Sequence, residues 1–387
     1  MIDRAAPEIA PLIERMESEG IYMFEIPTPF AVGPVNCYLI EDDPLTLIDP
    51  GPNSGEAIGA LVVALRERGH ELADIEQIIV THQHIDHLGL VELVKQASGA
   101  PVVCLDRCKP WMENFHEQSS ATDRWASEML VKHGVGEEVA VALRAVAKAF
   151  RGWGSEAKVD RELHDGEILE FRDRSLQVLH RPGHSASDTV FWNAQTGTLI
   201  AADHLIKHIS SNPLLEPPAK EGDPRPQELV IYIESLEKTR EMPASLVLSG
   251  HGEPIADHVS LIDERFAMTE KRTAKLHKML VEGGPMTAHE LARGTWGNIA
   301  VTQAFLTLSE VLGNLDILEN AAFTPAPLGR REDVLDVTDM VPVLDIHRQK
   351  ILHRAQKPFI HRLFCTMPGV ALRPAYLFSR NRFISGS

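Results

Sequence analysis

Short strands and helical segments alternate from residue 36 to 250, and a purely helical pattern takes over after His258. Together they predict an α/β (α+β) fold: a sheet-rich core with helices outside, followed by a small all-helical or winged-helix module. A third observation bears on function. The run THQHIDH at 81–87 sets four metal-capable side chains directly behind an apolar strand.

The elements follow in order. NCYLI and LTLID in residues 36–50 read as two strands separated by the turn-like EDDP, the second running into DPGP. Leu61, Val62 and Leu65 have helical spacing within 55–69. IEQIIV (75–80) is a buried strand, 87–97 a helix and PVVCL (101–105) a further strand. Residues 110–150 are mostly helical and interrupt the alternation, so they read as an insertion that would roof a pocket; it carries Trp111, Met112, Phe115 and Trp125. Strands resume with ELHDGEILEF, SLQVLH, DTVFWN and TLIAAD; a helix at 225–240 and the strand SLVLSG complete the core. Helical patterns with Gly or Asn breaks fill 258–325, beginning with a long one over 258–282. The linker FTPAPLGRRED (323–333) follows. The extension 326–387 is basic, with no Asp or Glu from Ile346 to Ser387 but eight Lys or Arg; it is expected to lie on the acidic body or on a neighbouring subunit.

Composition narrows the class. The 387 residues are 44% hydrophobic, enough for a sizeable core, and carry a formal net charge of -17. A field of that sign opposes nonspecific nucleic-acid binding. Cys37, Cys104, Cys108 and Cys365 form no C-x-x-C pair and no disulfide framework, so reduced, mostly buried thiols are expected. The N-terminus lacks a basic region followed by an apolar core, and no apolar run reaches the ~20 residues of a membrane span. A cytoplasmic protein is expected.

The chemistry starts at His82 and His84, which alternate and so face the same way on extended backbone. Asp86 and His87 follow where the next helix begins. Neutral imidazole and carboxylate are the usual ligands of zinc-like ions, and a cluster of this density is costly to explain as packing. His184 (RPGHSASD), Asp203 (AADH) and His251 (LSGHGEP) each follow a strand. They supply what a second ion needs if the sheets fold together.

The order H-x-H-x-D-H, then His, Asp and His resembles the metallo-β-lactamase superfamily, and LIDPGP with Asp49 matches its early strand-end Asp. The resemblance covers residues 20–260, and SEVLGNLDILEN in 258–320 resembles the small C-terminal winged-helix-like module of one branch. It implies an αββα sandwich over 1–257 with the site at one edge. His82, His84 and His184 would bind one divalent ion and Asp86, His87 and His251 another, with Asp203 bridging and Asp49 orienting a ligand histidine. Zinc is expected, with iron or manganese as alternatives. A bridging hydroxide would attack the substrate, with Asp86 orienting it and helping to move its proton.

The ligand types then sort the chemistry. Asp203 stands where the commonest zinc β-lactamases place a cysteine, which leaves β-lactamase activity weak or promiscuous. His84 replaces the carboxylate of flavodiiron oxygen reductases. Acyl-homoserine-lactone lactonases carry a tyrosine shortly after the bridging Asp; here the stretch is DHLIKHISSNP, where His208, Lys207, Ser210 and Ser211 are the groups available to protonate a leaving group or bind a carboxylate, and His208 is the candidate catalytic residue. The C-terminal module differs from the glutathione-binding domain of glyoxalase II. The expected reaction is hydrolysis of a carboxylic ester, thioester or lactone of a small acyl substrate. An RNA or phosphodiester nuclease, a mono-iron sulfur dioxygenase on His82, His84 and His184, and a metal-stabilised binding protein are the alternatives. The module and the tail are the elements available to support a homodimer, though no sequence pattern proves one.

Overall fold

The computed structural model describes residues 2–220 and 222–323. The chain begins with α1 (Ala10–Ser18), β1 (Ile21–Ile26), β2 (Val35–Ile40) and β3 (Thr46–Ile48). Next come α2 (Gly55–Glu67), β4 (Gln77–Val80), α3 (Ile85–Leu88), α4 (Val91–Ser98) and β5 (Val102–Leu105). The insertion is α5 (Lys109–Glu113), α6 (Phe115–Lys132) and α7 (Glu137–Phe150), ending in a 3-10 turn at Arg151–Trp153; β6 (Arg161–Leu163) follows. These six strands form one sheet in the order β1-β2-β3-β4-β5-β6, parallel from β3 onward.

The second sheet holds β7 (Ile168–Glu170), β8 (Ser175–His180), β9 (Thr189–Asn193), β10 (Thr198–Ala202) and, after α8 (Glu228–Arg240), β11 (Leu246–Ser249). Its order is β11-β10-β9-β8-β7, with β10 and β11 parallel. The predicted strand ELHDGEILEF is therefore two strands in different sheets, split at the Asp165–Gly166 turn. A helix (α1) and a strand (β1) precede the first predicted element; IYMFEI shows no clean polar alternation because its intermediate residues are covered too.

Side chains of period two build the layers. Ile21, Met23, Tyr38, Ile40, Ile79 and Val103 of the first sheet meet Leu176, Val178, Phe191, Ile200 and Leu248 of the second in one core. The alternate residues of the first sheet, among them Cys37, Leu39, Ile78, Val80 and Cys104, pack under Leu61, Leu65, Val91 and Val94 of α2 and α4. The alternate residues of the second, Val190, Trp192, Leu199 and Val247, pack under Leu229, Tyr232, Leu236 and Ile262. The expected αββα sandwich is the observed one.

The C-terminal helices are α9 (His258–Gly283), α10 (Ala288–Trp296), α11 (Ile299–Thr302) and α12 (Ala304–Phe323). Among the described residues 258–323 contain no strand, so the helical form of the module is the one observed. Its core is shared with the insertion: Met129 and Leu130 of α6 pack with Leu276 and Leu280 of α9, Leu291 of α10 and Leu312 of α12. Trp125 packs against this cluster, and Met112 and Phe115 are buried in the core above the first sheet. Met112 and Phe115 are thus packing residues and not contacts for an acyl group. The basic extension 326–387, with Cys365, lies outside the described residues.

Candidate metal centre

Strand direction gathers the site. β3 and β4 are parallel, as are β10 and β11, and β8 runs with β10 because both are antiparallel to β9. The segments that follow β3, β4, β8, β10 and β11 therefore emerge at one edge of the sandwich. They carry Asp49, the 81–87 run, His184, Asp203 and His251.

Two groups of side chains result: His82, His84, His184 and Asp203 in one, and Asp86, His87 and His251 in the other, with the ligand atoms of each group within 4.8 Å of one another. His84 Nδ1 lies 3.1 Å from His82 Nε2 and 2.9 Å from His184 Nε2. Asp203 stands between the groups. Its Oδ2 is 3.5 Å from His184 Nε2 and 3.5 Å from His251 Nε2, and its Oδ1 is 3.4 Å from His87 Nε2. Asp86 Oδ2 is 3.3 Å from His251 Nε2.

The surroundings fix which nitrogen each ring presents. Asp49 accepts from Thr81 N at 2.9 Å and from Thr81 Oγ1 at 2.7 Å. Having given its proton to Asp49, the Thr81 hydroxyl accepts from His82 Nδ1 at 3.0 Å. Asp49 Oδ2 also accepts from His87 Nδ1 at 2.9 Å, and the Pro34 carbonyl accepts from His251 Nδ1 at 2.8 Å. All three rings then present an unprotonated Nε2 to the centre, as metal ligation requires.

The electrostatics agree. Burial holds His82 well below its usual pKa, helped by its neighbours His87 and His84, and takes His84 down to about 3. Burial pulls His87 and His251 the same way but is outweighed. Asp203, Asp49 and Asp86 hold His87 well above its usual value, and Asp203 and Asp86 raise His251 to about 10. The second group thus attracts positive charge strongly, which a cation supplies without protonating the rings.

Asp203 Oδ1 and His87 Nε2, which face each other across the site, are among the buried side-chain atoms with no hydrogen-bond partner. Buried polar atoms are seldom left so, and a cation between them would satisfy both. The residues present fit a metal centre.

Backbone strain marks the same edge. Asp49 and Ala202 are the non-glycine residues with positive φ among those described, at 54° and 46°. Such strain persists where the surroundings over-determine it, here at the residues that aim Asp49 and Asp203. Gly250 packs against Asp203 so closely that a Cβ there would lie 2.1 Å from Asp203 Oδ1.

The remaining predicted residues lie on the loop after Asp203. Lys207 is exposed and paired with Glu253 at 2.7 Å. His208 is exposed, its ring over Gly252 and its Nε2 3.3 Å from the Val32 carbonyl. Ser211 is buried and donates to the Asp203 carbonyl, while Ser210 is half-buried. Sequence reasoning missed Thr81, the Pro34 carbonyl and Gly250, although THQHIDH and SGHGEP contain two of them. It also missed three half-buried rings. Phe30, on the β1–β2 loop, lies 5.7 Å from Phe150 and 5.5 Å from Trp153, which are 5.0 Å apart. Trp153 adjoins α3, which carries Asp86 and His87, since its carbonyl abuts Gly89.

Residues 31–251 match the family model of the metallo-beta-lactamase superfamily. The chain is 34% identical over 304 residues to the probable metallo-hydrolase YqjP of Bacillus subtilis, covering 79% of this chain and 93% of that one. It is 28% identical over 184 residues to a hydroxyacylglutathione hydrolase of Chelativorans sp., covering 46% and 65% of the two chains. A metallo-beta-lactamase family protein of Thermus thermophilus superposes with a TM-score of 0.65 at 27% identity, over 78% of this chain and 93% of that one. The chain belongs to the metallo-beta-lactamase superfamily, and it is a metallo-hydrolase of that fold. No helix among the described residues is long and apolar enough to cross a membrane.

Proposed function

We propose that the protein is a dinuclear metal-dependent hydrolase of a carboxylic ester, thioester or lactone whose acyl part is apolar or aromatic. The observation that carries this reading is the Asp203 carboxylate, placed between two otherwise complete ligand groups. His82, His84 and His184 would hold one ion, Asp86, His87 and His251 the other, and Asp203 both. Zinc suits this donor set, as do iron and manganese. Such a pair supplies a water acidified toward a pKa of ~7 and polarises the acyl oxygen.

The chain's own groups do the rest. Asp49 and the Pro34 carbonyl hold the His87 and His251 rings in the tautomer that binds. Asp86 Oδ2 accepts the proton of the attacking water. His208, free of the ion pair that occupies Lys207, gives a proton to the leaving group. Phe30, Phe150 and Trp153 form an apolar wall beside α3 for the acyl part. A relative named as a hydrolase of an acyl conjugate of glutathione supports acyl chemistry over phosphodiester chemistry, as does the net charge of -17.

The test is a hydrolysis panel on metal-loaded protein: thioesters, lactones, aryl esters, phosphodiesters and β-lactams, with His184→Ala as the blank. Turnover of acyl substrates that disappears in the blank is expected. Cleavage of phosphodiesters alone would overturn the assignment, and one iron per chain with sulfur oxidation would replace it by a dioxygenase.

A further inference from the structure

The three-histidine group is assembled from two separate loops, His82 and His84 after β4 and His184 after β8. A backbone hydrogen bond from Thr189 N to the Thr81 carbonyl, at 3.2 Å, joins the two segments at their base, and side chains tie them together beyond it. Glu216, on the segment between β10 and α8, bridges them. Its Oε1 accepts from Ala186 N at 3.0 Å, two residues past His184, and from Gln83 Nε2 at 3.4 Å, between His82 and His84. Gln83 is buried, and its carbonyl accepts from Ser187 Oγ of the other loop.

The backbone of Glu216 is itself anchored. Glu216 N donates to Glu228 Oε1 at 2.7 Å, and Glu228 Oε2 accepts from Arg225 Nη1 at 3.0 Å. Arg225 Nη2 pairs with both oxygens of Asp316 on α12, at 2.8 and 2.7 Å. Leu215 next to Glu216 is buried in the core shared by the insertion and the C-terminal helices. The span from Gln83 to Asp316 is thus one hydrogen-bonded chain from the metal loops to the helical module.

We propose that Glu216 is a positioning residue for the three-histidine group, and that through it the C-terminal helices set the spacing of His82 and His84 against His184. The inference rests on the proposed metal centre. It assigns Glu216 no contact with the substrate. Asp86, His87 and His251 owe nothing to this link, since Asp49 and Pro34 orient the two rings of that group. Removal of Glu216 therefore acts on one ion site and spares the other. Partners that orient a ligand are worth about 10- to 100-fold in metal affinity.

The experiment loads full-length protein with zinc and measures ions per chain and stepwise affinity by chelator competition, alongside thermal unfolding. In Glu216→Ala one of the two affinities is expected to fall about 10- to 100-fold while the other stays at the wild-type value. Glu216→Gln, which keeps an acceptor oxygen, is expected to restore most of that loss. If Glu216→Ala does not fold, Gln83→Met removes the donor side of the link and is expected to give the same one-sided loss. Wild-type affinity at both sites, or equal loss at both, overturns the inference. Fewer than two ions in the wild type would instead count against the dinuclear reading, and the ratio of variant to wild type at the remaining site would still decide the role of Glu216.

Discussion

Gly250→Ala adds one methyl group at the tightest point of the site. The new Cβ would lie 2.1 Å from Asp203 Oδ1, 3.0 Å from His87 Cε1 and 3.1 Å from the Ala202 carbonyl carbon, where ordinary contact begins at 3.4 Å. Asp203 must retreat by more than about an ångström, the order of displacement that costs ~100-fold in rate. It has little room to do so. The residue before it is held at φ 46°, its own carbonyl is bonded by Ser211, and Gly250 N is tied to the Ala202 carbonyl at 2.7 Å. The overpacking itself costs about 1–3 kcal/mol, which a domain of this size tolerates. The expected variant is folded but has lost ~100-fold in turnover and binds the bridged ions more weakly. Metal content after gel filtration and turnover at saturating substrate check this. Gly59→Ala in α2, where an added Cβ meets nothing within 4 Å, serves as the control and is expected to keep full activity. A Gly250→Ala protein with wild-type metal content and turnover would show that Asp203 does not occupy the bridging position.

Three further outcomes are expected. Asp49→Asn leaves one donor in place of a charged acceptor that serves Thr81 and His87; metal affinity should drop about 10- to 100-fold, seen by chelator competition, and an unchanged affinity would remove Asp49 from the site. Trp153→Ala strips one ring from the apolar wall; KM should rise for long or aromatic acyl groups and stay constant for acetyl esters, and a uniform fall in kcat would instead mean that α3 had shifted. For pH, burial outweighs the attraction of Arg225 and raises Glu228 to about 7 and Asp316 to about 6. The folded state then binds these protons more tightly than the unfolded chain, whose carboxylates titrate near ~4. Their contribution to stability is full below ~4 and lost as pH rises through 6 and 7. Thermal unfolding of Glu228→Gln from pH 5 to 8 should fall less steeply than that of the wild type; parallel curves would refute the assignment.

The candidate metal ligands were readable in the sequence because each follows a strand, and strand ends in two facing sheets have few places to go. Type and order were enough: the run THQHIDH supplied four side chains at once, and His184, Asp203 and His251 each follow an apolar run. The supporting groups were not readable in the same way. Pro34 serves His251 across 217 positions, and Gln83 meets Ser187 across 104. Nothing local in either residue marks such a role, since a proline carbonyl or a loop glutamine is ordinary until the partner arrives. The same holds for Met112 and Phe115, whose aromatic and apolar character fits a pocket as well as a core. Only the packing of the insertion against the first sheet decides between them.

This division bears on how the substrate is chosen. The seven candidate ligand side chains follow strand ends, so drift elsewhere in the loops would leave their grouping intact. The groups proposed to meet the substrate come from the β1–β2 loop with Phe30, the end of the insertion with Phe150 and Trp153, and the segment after β10 with His208, which also carries the positioning residue Glu216. The last two elements are connected, because α6 and Leu215 share one core with the C-terminal helices. A change in that core should therefore move specificity and the three-histidine group together while leaving Asp86, His87 and His251 in place. Leu312→Ala, a deletion in the shared core with an expected cost of about 2–5 kcal/mol, separates the two possibilities. If the helices act only as a passive buttress, stability falls and the ratio of KM values between acyl substrates is unchanged. If they set the spacing, that ratio and one zinc affinity shift together.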